Sequence, residues 1–262
     1  MLNKYIILIV ATILIHFIDT LSYSVRLNSV KSGNFALSTS LFNLIVLVSR
    51  TANTFQGPLI GYMIDDSIRS KYDPISNIRG VIFAASGGTI LAIILIPTFL
   101  KLFEIGMKKL EVTGSIPSLV IQSLSISNIK RIARNTIKPK KSMIKNLRYK
   151  NIPKRLLLLN ALITGVYTVG VLAANYASFM VPYKANAIVQ SSGLINGIAS
   201  ILLTLFIDPK SAIITDEAYR GKREYGDVKA LVIMLIGTKL LGTLLGQLLL
   251  VPSAKLLALI YQ

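Results

Sequence analysis

Apolar runs long enough to cross a hydrocarbon core of about 30 Å recur along the chain, separated by short polar breaks and one long basic stretch. They cover about 5–25, 35–57, 80–102, 156–180, 186–207 and 230–251, and predict six membrane-spanning helices. Gly57-Pro58 is expected to end or kink the second helix, and Pro97 and Pro252 to mark the ends of the third and sixth. The first run continues into polar residues with no small-residue cleavage pattern behind it, so it is expected to stay as a helix and not to be removed as a signal peptide. The expected fold class is all-α: a polytopic integral membrane protein with a single membrane domain over residues 1–262. A basic segment, 103–155, joins the third and fourth helices, and segment 208–229 is expected to form a short polar helix or turn.

Several spans carry polar positions that repeat at helical spacing. In HFIDTLSYSVR, residues 16–26, the side chains of His16, Asp19, Tyr23 and Arg26 join Thr12 within an arc of roughly 80°. Such a stripe cannot face acyl chains, so it must face other helices or a wet cavity. The second span repeats the pattern with Asn43, Arg50, Thr54 and Gly57 near one line and Asn53 at its edge. Arg50 lies well inside that span, where an arginine costs about 2.5–3.5 kcal/mol on insertion scales. Lys239 sits near the middle of the sixth span, beside Thr243, Gly246 and Gln247. Gly242 with Gly246, and Gly193 with Gly197, form GxxxG pairs that suit close helix packing and allow a homodimer without requiring one.

Charge adds an orientation. Residues 101–155 hold 14 Lys or Arg against two acids, Glu104 and Glu111. The positive-inside rule places loop 103–155 in the cytoplasm, together with the loops after the first and fifth spans, and both termini outside. Leu119, Leu124, Ile126, Ile129, Ile132, Ala133 and Ile137 among the polar residues of this loop suggest an interfacial amphipathic helix that attracts anionic phospholipids. The net charge of +18 is not read as a nucleic-acid signal, because no aromatic residues interleave with these cations. Tyr5, Tyr62, Tyr72, Tyr149, Tyr183, Tyr225 and Tyr261 lie near the ends of the apolar runs, where an amphipathic ring prefers the headgroup layer.

The chain has no cysteine, which excludes disulfides and thiolate chemistry. No HExxH, paired carboxylates within a span, GxSxG or P-loop is present, so no catalytic residue, cofactor or metal is expected. Arg26, Arg50 and Lys239 face a single acid within the spans, Asp19, and this surplus of positive charge calls for an anion. Arginine suits bidentate phosphate contact and lysine acts as a point charge, so these three are the candidates for holding a lipid diphosphate. His16, Asp19, Tyr23, Asn43 and Asn53 are the candidates for lining the cavity, with His16 and Asp19 available to carry a coupling proton. The structural alternative has His16 and Asp19 as a pair that orients the first helix, with Arg50 merely neutralising Asp19.

The segments HFIDTLSYSVRL and SLFNLIVLVSRTANTFQGPLIG resemble the signature of the alternate lipid II flippases, Amj, of bacterial cytoplasmic membranes. Chain length, six spans and the central basic loop are similar to that family too. The resemblance implies a transporter that moves lipid II, the undecaprenyl-diphosphate disaccharide-pentapeptide precursor of the cell wall, from the inner to the outer leaflet, with functional overlap with MurJ. It supplies no residue roles. The competing readings are a membrane enzyme acting on polyprenyl phosphates, which would need further cavity-facing acids, a non-transporting membrane partner with its polar faces packed shut, and a small-ion transporter.

Overall fold

The computed structural model describes residues 2–113, 136, 137, 139 and 147–262. Among these residues no strand occurs. The helices are α1 (Leu2–Ser32), α2 (Phe35–Ser70), α3 (Ile75–Thr113), α4 (Lys154–Met180), α5 (Ala185–Leu202), α6 (Asp208–Tyr219) and α7 (Tyr225–Ile260). A π-helical turn, Leu203–Ile207, fuses α5 to α6, so six continuous helical segments are long and apolar enough to cross a membrane. Most of the predicted amphipathic loop, including Leu119, Leu124, Ile126, Ile129, Ile132 and Ala133, lies outside the described residues. Ile137 is held at the edge of the bundle, its amide donating to the Thr98 hydroxyl at 2.8 Å.

The expectation that Pro97 and Pro252 mark helix ends is corrected, and Pro58 does not end the second helix. Pro58, Pro97 and Pro252 all lie inside helices, which run on to Ser70, Thr113 and Ile260. In hydrocarbon a helix has no water to take over its freed backbone groups, so a proline is accommodated within the helix more readily than the helix is ended. At about 1.5 Å per residue α2 is roughly 54 Å long, well beyond the hydrocarbon thickness. Its far end carries Asp65, Asp66 and Arg69, residues suited to a polar layer. The short polar helix expected in 208–229 is α6, which continues the fifth segment without a break.

Packing divides into α1 between α2 and α3, and α4 against α7 and α5, with α1, α2 and α3 closing onto α4 and α7. Small residues set the closest approaches. A Cβ at Gly88 would lie 2.3 Å from the Ile13 carbonyl oxygen, and one at Gly242 would lie 2.6 Å from that of Ala161. The Gly242–Gly246 pair thus packs α7 on α4 as expected, whereas Gly193 and Gly197 have open space beside them among the described residues. Gly33 and Gly221 adopt positive φ, 74° and 73°, at the breaks after α1 and α6, a conformation glycine takes without steric cost.

Two large apolar cores lie at opposite ends of the bundle, with a smaller one of Val25, Leu41, Phe103 and Met107 beside them. One gathers Leu8, Ile60, Ile82, Leu172 and Leu250, the other Leu27, Leu156, Ile207, Leu231 and Leu235. The polar positions of α1, α2 and α7 fall between them.

Candidate functional site

Between the two cores, α1 turns His16, Asp19, Tyr23 and Arg26 toward α2, α6 and α7. Asp19 accepts an ion-paired hydrogen bond from Lys239, which is only 2% exposed on α7. The structural alternative for Asp19 is therefore corrected in its partner: the lysine matches it, neither His16 nor Arg50. Arg26 donates from Nη2 to Asp208 at 3.2 Å. Its guanidinium lies over the Phe42 ring at 4.4 Å and the Tyr23 ring at 5.4 Å, and Lys239 Nζ lies 5.4 Å from the same Tyr23 ring. Tyr23 is thus an aromatic wall shared by two cations, each attracted to the ring quadrupole.

What fixes Tyr23 is Asn160, fully buried on α4. The phenol donates to Asn160 Oδ1 at 3.2 Å, and Asn160 Nδ2 donates to the Leu235 carbonyl and to Thr238 Oγ1, both at 2.9 Å. One amide therefore ties α1, α4 and α7 together. Nearer the N-terminus of α1, Gln56 donates to Thr12 Oγ1 at 2.7 Å and Ser49 donates to the Ile15 carbonyl at 3.1 Å. These bonds seal the α1–α2 seam beside the site without closing the site itself.

Two hollows remain. The inner one, about 30 Å³, is lined by His16, Asp19, Tyr23, Arg50, Asp208 and Lys239, with Thr164, Tyr167 and Leu203 among its walls. It is several-fold smaller than the outer one. The outer one, about 250 Å³, is lined by Arg26 and Asn43 with Phe42, Asp208 and their neighbours. Asp208 and Phe42 belong to both, so the hollows adjoin. The three candidate cations accordingly divide: Arg50 and Lys239 line the inner hollow and Arg26 the outer. Arg50 is half-buried and, among the described residues, makes no ion pair. His16 is buried with Nδ1 unpartnered among the described residues, and Asn53 lies beside the Tyr167 hydroxyl on α4.

Sequence reasoning missed Asp208. It stands where the hydropathy falls and a proline follows, which reads as the start of a loop. The π turn and Pro209 at the first turn of α6 deliver its carboxylate into the cluster, giving two acids among the three cations and a net surplus of one positive charge. Asn160 had a legible signal, a lone amide in the run LLLLNALITG. So did α5, where Asn186, Gln190, Gly193, Gly197 and Ser200 share an arc of roughly 80°. The first four of these are exposed, and Ser200 is half-buried.

Residues 11–261 match the model of a family described as Amj, Alternate to MurJ. The chain is 39% identical over 248 residues to a protein of Bacillus subtilis (strain 168) named lipid II flippase Amj, an alignment covering 94% of this chain and 92% of the relative. No solved structure matches. With a family match over nearly its whole length and a relative this similar across both chains, the protein belongs to the Amj family.

Proposed function

We propose that this protein is a lipid II flippase of a bacterial cytoplasmic membrane, carrying the polyprenyl-diphosphate-linked cell-wall precursor from the inner to the outer leaflet. The observation that carries the reading is the charged cluster between the two apolar cores, with Arg50 facing a hollow and lacking an ion pair among the described residues. A cation held in that setting, where its isolation is costly, suits a guest that brings its own negative charge.

The polar stripes of α2 and α5 support a route for the headgroup. Both helices flank α4, and in a bilayer exposed amides and hydroxyls along them need polar company. The prenyl chain stays in lipid while the phosphates and sugars travel along this surface. The inner hollow is too small for a diphosphate, so entry requires α2 and the α5–α6 segment to part. The basic loop is assigned to the cytoplasm and both termini to the outside by the charge distribution, with anionic phospholipids at the loop. No driving force is assigned. His16 and Asp19 remain the groups placed to respond to a proton.

A membrane enzyme acting on polyprenyl phosphates is the second reading, and Asp208 is the further cavity-facing acid it calls for. Both acids, however, are ion-paired, Asp19 with Lys239 and Asp208 with Arg26, an arrangement that favours the flippase reading over one that needs a free carboxylate nucleophile. The test is Arg50→Gln in cells depleted of every other lipid II flippase. At normal membrane abundance the variant should leave lipid II in the inner leaflet, while the parent protein exposes it. Full translocation by the variant would remove Arg50 from the route.

A further inference from the structure

Two buried residues that line the outer hollow carry donors with no partner among the described residues. Arg26 is 8% exposed and commits Nη2 to Asp208, yet its Nη1 has no hydrogen-bond partner among the described residues. Ser38, on the first turn of α2, is fully buried and its hydroxyl likewise has none. Both residues line the same space of about 250 Å³. Buried donors are almost always satisfied, so two such groups around one hollow mark the place of a missing acceptor.

The walls describe that acceptor. The Phe42 and Tyr23 rings hold the plane of the guanidinium, and Ser38 supplies a second donor. Much of the remaining lining is apolar, with Val25, Phe35, Pro209 and Ala212. An oxyanion attached to a hydrocarbon chain fits such a space better than a free anion, which would lose its hydration against apolar walls. Asp208 adds the constraint. Its carboxylate faces the same hollow, so it opposes an incoming anion by like charge and keeps binding weak enough for release.

We infer that the hollow between Arg26 and Ser38 is a docking subsite for one phosphoryl group of a prenyl-linked phosphate, distinct from the inner hollow at Arg50 and Lys239, with Asp208 as the built-in competitor that limits its affinity. The inference rests on the flippase reading for its biological meaning, because it places a first halt for the lipid phosphate before the inner cations.

Farnesyl phosphate, inorganic phosphate and farnesol are the probes, titrated calorimetrically into the full-length protein in lipid nanodiscs. Farnesyl phosphate should bind, and the other two far less. Ser38→Ala should weaken farnesyl phosphate by about tenfold, the loss of one hydrogen bond to a charged group. Its thermal stability should be unchanged or higher, because the hydroxyl has no partner to lose. Asp208→Asn should tighten binding by about tenfold, and Ser38→Thr should retain it. Wild-type affinity in Ser38→Ala would overturn the subsite, as would no binding of farnesyl phosphate by the wild type. Equal binding of inorganic phosphate would make this a free-anion site, and equal binding of farnesol a plain apolar hole; either refutes the inference. If Ser38→Ala binds as wild type while Arg50→Gln blocks translocation, the subsite falls and the flippase reading stands. If Ser38→Ala loses binding while Arg50→Gln translocates normally, the subsite stands and that reading loses its main support.

Discussion

Breaking the Asp19–Lys239 pair from its two ends should give unequal results. Asp19→Asn leaves an ammonium that is 2% exposed with no countercharge, and removing one partner of a buried pair in this way costs about 3–5 kcal/mol. The Tyr23 face, 5.4 Å away, returns part of this, about 0.5–2 kcal/mol. A net loss of about 1–4.5 kcal/mol follows. Lys239→Met leaves a carboxylate whose side chain is 29% exposed and borders the inner hollow, so water or a proton can relieve it. Its loss should be smaller, about 1–3 kcal/mol, the range for a buried polar group that loses its partner. The double variant, Asp19→Asn with Lys239→Met, removes both charges and should recover most of the stability lost by Asp19→Asn alone. Reversible unfolding in micelles at fixed detergent concentration, read as a double-mutant cycle, measures all three. A loss below about 1 kcal/mol for Asp19→Asn, or additive losses in the double variant, would refute the argument that the pair is a coupled buried unit. Translocation measured on the same proteins separates the roles: a stable but inactive double variant would assign the pair to transport as well as to folding.

Tyr23→Phe should keep the aromatic wall but leave Asn160 Oδ1 without its donor, for a loss of about 1–2 kcal/mol by the same unfolding measurement. Gly242→Ala should destabilise strongly, because its Cβ would press on the Ala161 carbonyl and Thr164, whereas Gly193→Ala should change stability by no more than about 0.5 kcal/mol in either direction. Reporter fusions in the basic segment and at each terminus should place residues 103–155 in the cytoplasm and both ends outside; a cytoplasmic N-terminus would overturn the charge-based orientation.

The α1 stripe was legible because period and burial coincide there: side chains four and three residues apart share a face whatever they pack against. Lys239 was legible for a different reason, since a lysine in mid-span is costly enough to announce a partner. Which partner was not readable. Asp19 lies 220 residues away in the chain, and helical periodicity says nothing about contacts between helices. Asp208 was hidden by two local signals, falling hydropathy and Pro209, that ordinarily end a helix. The π turn overrides both by shifting the register so that the acid points inward. Pro97 and Pro252 misled in the same way. Their breaking effect is calibrated on water-soluble helices, and it weakens where no solvent competes for the backbone.

The most deeply packed of the spanning helices is α4, with 72% of its most apolar stretch covered, against 17% for α2 and 22% for the fifth segment. Like a stator, α4 cannot shift without dismantling the seams it shares with α7 and the Asn160 anchor. Rocking is left to the two lightly held outer rods on either side of it. A covalent staple between those rods should therefore freeze the transporter, and one between α4 and α7 should leave it running.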